Sequence, residues 1–287
     1  MPVPDQPRIL LVTDLAYQAR GRRYCDEDIL LASRLREHFD VAMCHPLDTV
    51  ALMDAFDLVM IRNSGPVLHY RQAWDTFRTE ALRRGTRVYN PLHGRGDMAG
   101  KHYLLALTEA GYPVIPTVGS ITHVDRLPDS AYYAVKPVDG ADSIGLEFLP
   151  REQLDARVTD AHLIQPQIDF AHEVSFYFVD DTFHYALYAP DPERRWDLVP
   201  YPPSAADIEF ADAFVAWNTL DHGIQRIDAC RTRDGDLLLV ELEDLNPYLS
   251  LERISGTDRV AMIDAIVMSL RGALARPQPT QVDPPSV

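Results

Sequence analysis

Lysine is nearly absent from this chain. Of 287 residues 27 are basic, yet only Lys101 and Lys136 are lysines, and arginine fills every other cationic position. A GC-rich genome explains the arginine bias but not the two lysines that remain. A compact, flexible ammonium makes point-charge contact with a phosphate in a narrow site, which a planar guanidinium fork does less well. Both lysines are therefore candidate functional groups, with leftover surface lysines as the plain alternative. Cysteine is scarce too. Cys25, Cys44 and Cys230 are odd in number, far apart and in no CxxC pair, which argues against a disulfide framework or a cysteine zinc site and fits a reducing compartment. No run of 18 apolar residues occurs, and MPVPDQPRILLVTD lacks the apolar core of a signal peptide; a cytoplasmic protein is expected. Positive charge is also short, with 43 acidic residues against 27 basic and a net charge of -16. Such a surface repels nucleic-acid phosphates and anionic lipid, so the expected partners are small-molecule substrates, with no nucleic acid and no membrane. A homodimer is compatible with these bounds.

What is present suits a folded protein of about two domains: 46% hydrophobic and 24% charged residues over 287 positions. Residues 8–13 read as a strand and 26–39 as an amphipathic helix. Strands at 41–44, 57–62 and 86–89 and a helix at 71–84 complete an alternating pattern that predicts a parallel sheet with ligand loops at its strand ends. A helix over 98–110 and strands at 114–116, 132–136, 146–149 and 162–165 follow. Hairpins are expected at 173–179 with 183–188 and at 224–230 with 237–242, helices at 207–220 and 258–275, and a disordered proline-rich tail over 276–287. The expected divisions are 1–97, 98–165, 166–275 and the tail.

Three stretches carry chemistry. Gly94-Arg-Gly-Asp-Met-Ala-Gly100-Lys101 falls short of a P-loop: five residues separate the outer glycines and His102 follows the lysine. The stretch from Tyr133 to Gly145 delivers Lys136 from an apolar strand into a small-residue loop that includes Ser143, a shape suited to folding over a triphosphate. Most informative is the pair Arg226-Ile227-Asp228 and Glu241-Leu242-Glu243. Residues two apart on a strand share a face, so a hairpin can gather Arg226, Asp228, Glu241 and Glu243. Three crowded carboxylates repel one another unless a hard cation neutralises them, and all-oxygen ligands suit Mg2+, with Mn2+ as a substitute. Arg226 would steady a phosphate or carboxylate. HExxH and GxSxG are absent. Arg20, Arg22 and Arg23 after the first strand, and Arg62 after the third, are candidates for docking a substrate carboxylate, with solvated arginines as the alternative.

In order, these pieces resemble an ATP-grasp enzyme, through Lys101 before GYPVIPT, YYAVKP before a flap, LIQPQI, His172-Glu173-Val174-Ser175, RID and ELE. The resemblance spans roughly residues 86–275 and is nearest to glutathione-synthetase-like and cycloserine-cyclase-like members. It implies an α/β architecture: a Rossmann-like N-terminal parallel sheet followed by α+β lobes that clasp ATP. It further implies that Lys101 and Lys136 hold phosphates, that Ser143 belongs to the flap, and that Gln165, Gln167 and Ile168 form the hinge that reads adenine. Glu173 would contact ribose or orient a lysine, Asp228, Glu241 and Glu243 would bind magnesium, and Asn246, three residues on, is a candidate for binding substrate. The implied activity is activation of a small, amino-acid-like carboxylate as an acyl phosphate for capture by an amine, within one molecule in a cyclase. A nucleotide-binding regulatory module without turnover is the alternative.

Overall fold

The structure, a computed structural model, describes residues 6–19, 22–62, 67–139, 144–191, 194 and 196–278. The chain opens with β1 (Arg8–Val12), a small hairpin of β2 (Gln18–Ala19) and β3 (Arg22–Arg23), then α1 (Cys25–Leu35), β4 (Asp40–Cys44), α2 (Thr49–Leu52), β5 (Leu58–Ile61), α3 (Arg71–Arg84) and β6 (Val88–Tyr89). Strands β4, β1, β5 and β6 lie parallel in that order. Successive side chains of β1 face opposite ways. Ile9 and Leu11 pack with Leu31 and Leu35 of α1, and Leu10 and Val12 with Phe77 and Ala81 of α3. Asp26, Glu27 and Asp28 occupy the first turn of α1, where the helix dipole favours negative charge, and Gly85 ends α3 in the left-handed conformation at φ 67.

The middle of the chain forms α4 (Tyr103–Glu109) and a three-stranded antiparallel sheet of β7 (Tyr133–Pro137), β8 (Glu147–Leu149) and β9 (His162–Pro166), with α5 (Leu154–Arg157) between β8 and β9. Tyr133 and Val135 pack against Val118, Val124 and Leu154, which by alternation turns Ala134 and Lys136 to the other face. The expected helix over 98–110 is shorter than the sequence suggests. A 3-10 turn covers Asp97–Ala99, and Gly100, at φ 84 and ψ 158, interrupts helical geometry before α4. The expected strand at 114–116 reduces to one bridge, Val114 to Leu239.

The remainder comprises β10 (Phe170–Val179), β11 (Thr182–Tyr188), β12 (Val199–Pro200), α6 (Ala205–Asn218), β13 (Ile224–Thr232), β14 (Leu237–Glu243) and α7 (Gly256–Ala275). The strands form a five-stranded antiparallel sheet in the order β12, β11, β10, β13, β14. One face packs Phe176, Phe178 and Ile227 onto Leu104 and Leu107 of α4 and Phe214 of α6. On the other, Tyr177, Tyr185 and Leu187 join Ile266 and Leu270 of α7 and the core of the parallel sheet, so α7 joins the first and last sheets. Of the proposed tail, residues 276–278 are described, and they are attached. Arg276 donates to the Asp221 carbonyl, Arg87 to the Arg276 carbonyl, and Gln278 to the Gly85 carbonyl. Residues 279–287 lie outside the described residues.

Candidate active site

Strand register builds the acidic face. Arg226 lies opposite Tyr177 on β10 and Glu243 on β14; Asp228 lies opposite Ser175 and Glu241. The register shifts after Asp228: Ala229 pairs with Leu239, which leaves Val240 as the extra residue. Such a bulge re-aims the strand. It allows Leu239 to sit fully buried in the core while Glu241, two positions on, reaches the cleft.

Arg226 organises this face. Its Nε is 2.9 Å from Asp228 Oδ1, its Nη2 is 2.8 Å from Asp228 Oδ2 and also donates to Glu243 Oε1, and its Nη1 donates to the Tyr248 carbonyl at 3.1 Å. Ser175 donates to Asp228 Oδ1 at 2.6 Å, so the Ser of the HEVS segment orients a proposed metal ligand. Glu173 stands two residues earlier, opposite Cys230. From the other side Lys101 Nζ approaches Glu241 Oε1 to 2.9 Å. Lys136 belongs to the same cluster. Burial pulls its ammonium down to about 8, the nearby Lys101 charge adds to that, and Glu241 opposes it. Burial also acts against the Lys101 ammonium, but Glu241, helped by the Asp97 and Glu243 charges, more than offsets it and its pKa is raised. Glu243 is pushed up by burial and by the Asp228 and Glu241 charges despite the pull of Arg226. Three carboxylates around Arg226 and two lysines thus come from three different strands and a loop.

Among the described residues no three His, Cys, Asp or Glu side chains are arranged to hold a metal; Arg226 and Lys101 engage the carboxylate oxygens instead. The donor chemistry still fits magnesium: every candidate ligand of the acidic hairpin is a carboxylate oxygen.

The loop that carries Lys101 is fastened to the acidic strand. Asp244, fully buried, accepts from the amides of Gly96 and Met98, both at 2.9 Å, and from Asn218 at 3.0 Å. In return Asp97 accepts from the amides of Asp244 and Leu245 at 2.7 and 2.8 Å. A Cβ on Gly94 would stand 2.3 Å from Asp244 Oδ2 and one on Gly96 2.7 Å from the Leu242 carbonyl. These glycines are there for close packing against β14. The amide of Lys101 also donates to the Val138 carbonyl at 3.0 Å, just beyond Lys136. Asp97 and Asp244 were hidden in the sequence inside GRGDMAGK and ELEDLN; the paired glycines were their only local signal.

Other predicted positions fall elsewhere. Gln165, 4% exposed, donates to the Thr117 hydroxyl at 2.8 Å, and the amide of Gln167 donates to the Tyr132 carbonyl at 2.9 Å. These bonds fix the segment between β9 and β10, where Ile168 is half-buried. On the Lys136 face of β7 and β8, Tyr132 and Phe148 are exposed, at 48% and 51%; neither was singled out from sequence. Asn246 follows β14 and is half-buried. Arg62 is not in the cleft wall. It is 1% exposed and bonded through Nε to Asp28 Oδ1 at 3.2 Å and through Nη2 to Glu27 Oε1 at 3.3 Å. Arg23 pairs with Asp26 at the exposed start of α1. Arg20 and Ser143 lie outside the described residues, and of Arg22 only the backbone, paired with Ala19, is described.

A parallel-sheet layer followed by two antiparallel sheets that meet over paired lysines and an acidic hairpin is the ATP-grasp fold. Solved structures with that fold match almost end to end. D-cycloserine synthetase DcsG superposes with a TM-score of 0.70 at 23% identity over 90% of this chain and 99% of its own. The D-alanine–D-alanine ligase of Bacillus anthracis, solved with ATP, gives 0.66 at 12% identity over 93% and 98%. The macrocyclase MdnC of Microcystis aeruginosa, bound to precursor peptide MdnA, gives 0.62 at 12% over 92% and 99%. No protein-family model matches the chain, and no curated protein matches it.

Proposed function

We propose that this protein is an ATP- and magnesium-dependent ligase that activates a small, amino-acid-like carboxylate as an acyl phosphate, which an amine captures in the same or a second molecule. The observation that carries the reading is the meeting of Lys101, Lys136, Arg226, Asp228, Glu241 and Glu243 in one cluster. Similarity to ATP-grasp ligases supports it. In this reading the lysines take up nucleotide phosphates, the segment from Gln165 to Ile168 lies beside adenine, Glu173 serves ribose or a lysine, and Ser143 belongs to the flap. Residues 98–165 and 166–275 are the clasping lobes. Asp228, Glu241 and Glu243 would hold magnesium, which would supply neutralisation of phosphate charge.

A substrate carboxylate oxygen attacks the γ-phosphorus, the bond to the bridging oxygen breaks, and ADP leaves with that electron pair. Arg226 donates to the phosphoryl oxygens as charge redistributes. The amine then attacks the acyl carbon, inorganic phosphate departs, and the amine proton passes to solvent. Holding two anions and a nucleophile together can supply roughly 7–11 kcal/mol of the barrier.

ADP release measured with a panel of amino acids and related acids, with hydroxylamine as trap, tests the reading. Hydroxamate formation is expected. Tight ATP binding without turnover on any acid would reject the ligase in favour of the regulatory module.

A further inference from the structure

We propose that Asp97 is a positioning residue for the phosphate site: its clamp on β14 delivers Lys101 to the nucleotide. The inference rests on the nucleotide-binding reading above and goes beyond it, because Asp97 itself touches neither lysine nor the acidic trio by any hydrogen bond described. Its carboxylate holds the amides of Asp244 and Leu245, while Asp244 holds the amides of Gly96 and Met98. The exchange is reciprocal. Each segment supplies the carboxylate that satisfies the other's backbone, so neither can slide without stranding buried amides. Asn218 closes the arrangement: its side-chain nitrogen donates to Asp244 and its oxygen accepts from the Arg95 amide at 2.7 Å.

Four residues after Asp97 the chain reaches Lys101, whose amide is tied to the carbonyl of Val138, two residues past Lys136. The loop therefore spans from the acidic strand to the base of the flap, and Asp97 sets one of its two ends. Gly94 and Gly96, pressed against Asp244 and Leu242, leave no room for the loop to settle in another register. Without the Asp97 clamp, Lys101 keeps its charge but loses its fixed approach to Glu241 and to a phosphate beside it.

Calorimetric titration with the non-hydrolysable analogue AMPPNP and magnesium tests this on the full chain. Asp97→Ala should weaken binding about tenfold, the effect of losing two buried hydrogen bonds to the Asp244 and Leu245 amides. Asp97→Asn, whose carbonyl oxygen still accepts from both amides, should restore most of the affinity. The deciding measurement is a double-mutant cycle with Lys101→Met: with Asp97 already replaced, removal of Lys101 should cost little more, because the lysine is no longer delivered. Fully additive losses, or an Asp97→Asn variant as weak as Asp97→Ala, would overturn the inference. If Asp97→Ala fails to fold, Asp97→Ser enters the same cycle and is read in the same way. Wild-type protein that binds no nucleotide at all would sink the functional reading first and this inference with it, an outcome distinct from additivity in a protein that binds.

Discussion

Two clusters in this molecule crowd carboxylates around an arginine, and they are completed differently. At the base of the N-terminal layer, Glu27, Asp28 and Arg62 are at most 5% exposed. Every carboxylate oxygen there has a donor fixed by the fold: the amides of Leu249 and Leu251 serve Glu27 at 2.8 and 2.9 Å, the Thr13 hydroxyl serves Asp28 at 2.6 Å, and Arg62 serves both. In the acidic cluster the side chains of Arg226, Asp228, Glu241 and Glu243 keep 16–24% of their exposure and are satisfied mainly by one another and by Lys101. The amides of Leu249 and Leu251 on Glu27, with the buried Thr13 and Arg62 donors, fasten α1 to the loop after β14. Under the proposed function, side-chain donors would let the second exchange partners for a phosphate or a cation.

Substitutions can break that contrast. The largest effect is expected from Arg62→Ala, which strands two buried acids and should lower stability by about 3–5 kcal/mol in chemical denaturation. Burial already pushes Glu27 up to about 7 against the pull of Arg62, so part of the loss will appear as a protonated Glu27. Lys136→Met comes next. It should lower affinity for nucleotide by at least about 100-fold, roughly 3 kcal/mol, while leaving the thermal midpoint within a few degrees, because an isosteric apolar side chain replaces a charge the fold desolvates. Affinity unchanged in calorimetry would remove Lys136 from the phosphate site.

A pH series sharpens the comparison with a smaller effect. Lys136 rests at about 8 in the ligand-free protein, and a bound phosphate raises that value by stabilising the ammonium. Above about pH 8 binding must then take up a proton, so nucleotide affinity should fall as pH rises, approaching tenfold per unit, and Lys136→Arg should flatten the slope. Ligand-free stability should move the other way: above about pH 8, up to the ordinary lysine range, the unfolded chain holds the extra proton, and the native state gains as pH rises. The smallest change is expected for Arg71→Ala, which removes an exposed pair with Asp139 at 2.8 Å. It should cost no more than about 1 kcal/mol, and the difference should fade in high salt.

The contrast also explains what could be read from the letters. Arg226, Asp228, Glu241 and Glu243 were legible together because a hairpin obeys a period of two and its partner strand is close in sequence. The same reasoning missed the bulge at Val240, since nothing in LLLVELE marks an extra residue. Lys101 and Lys136 stood out by rarity. Glu27 was invisible because its partners are the backbone amides of Leu249 and Leu251, and amides have no letter. Arg62 looked exposed because it follows a strand in a parallel sheet, where loops usually meet ligand; the acids at the start of α1 reach it first. Asp97 and Asp244 failed to suggest each other for the same reason as Glu27: each recognises main chain at the far end of the sequence.

One peptide-to-carbonyl contact has reach beyond its size. Because the nitrogen of Lys101 is bonded to the oxygen of Val138, the two rare ammonium groups are moored to each other at their roots. Between them α4 is built into the core, but the turns over Ile121–Arg126 leave Thr122, His123, Asp125 and Arg126 exposed. Lineages could decorate those exposed turn positions without altering the gauge between the two positive charges, and a protein engineer could attach a label there for the same reason.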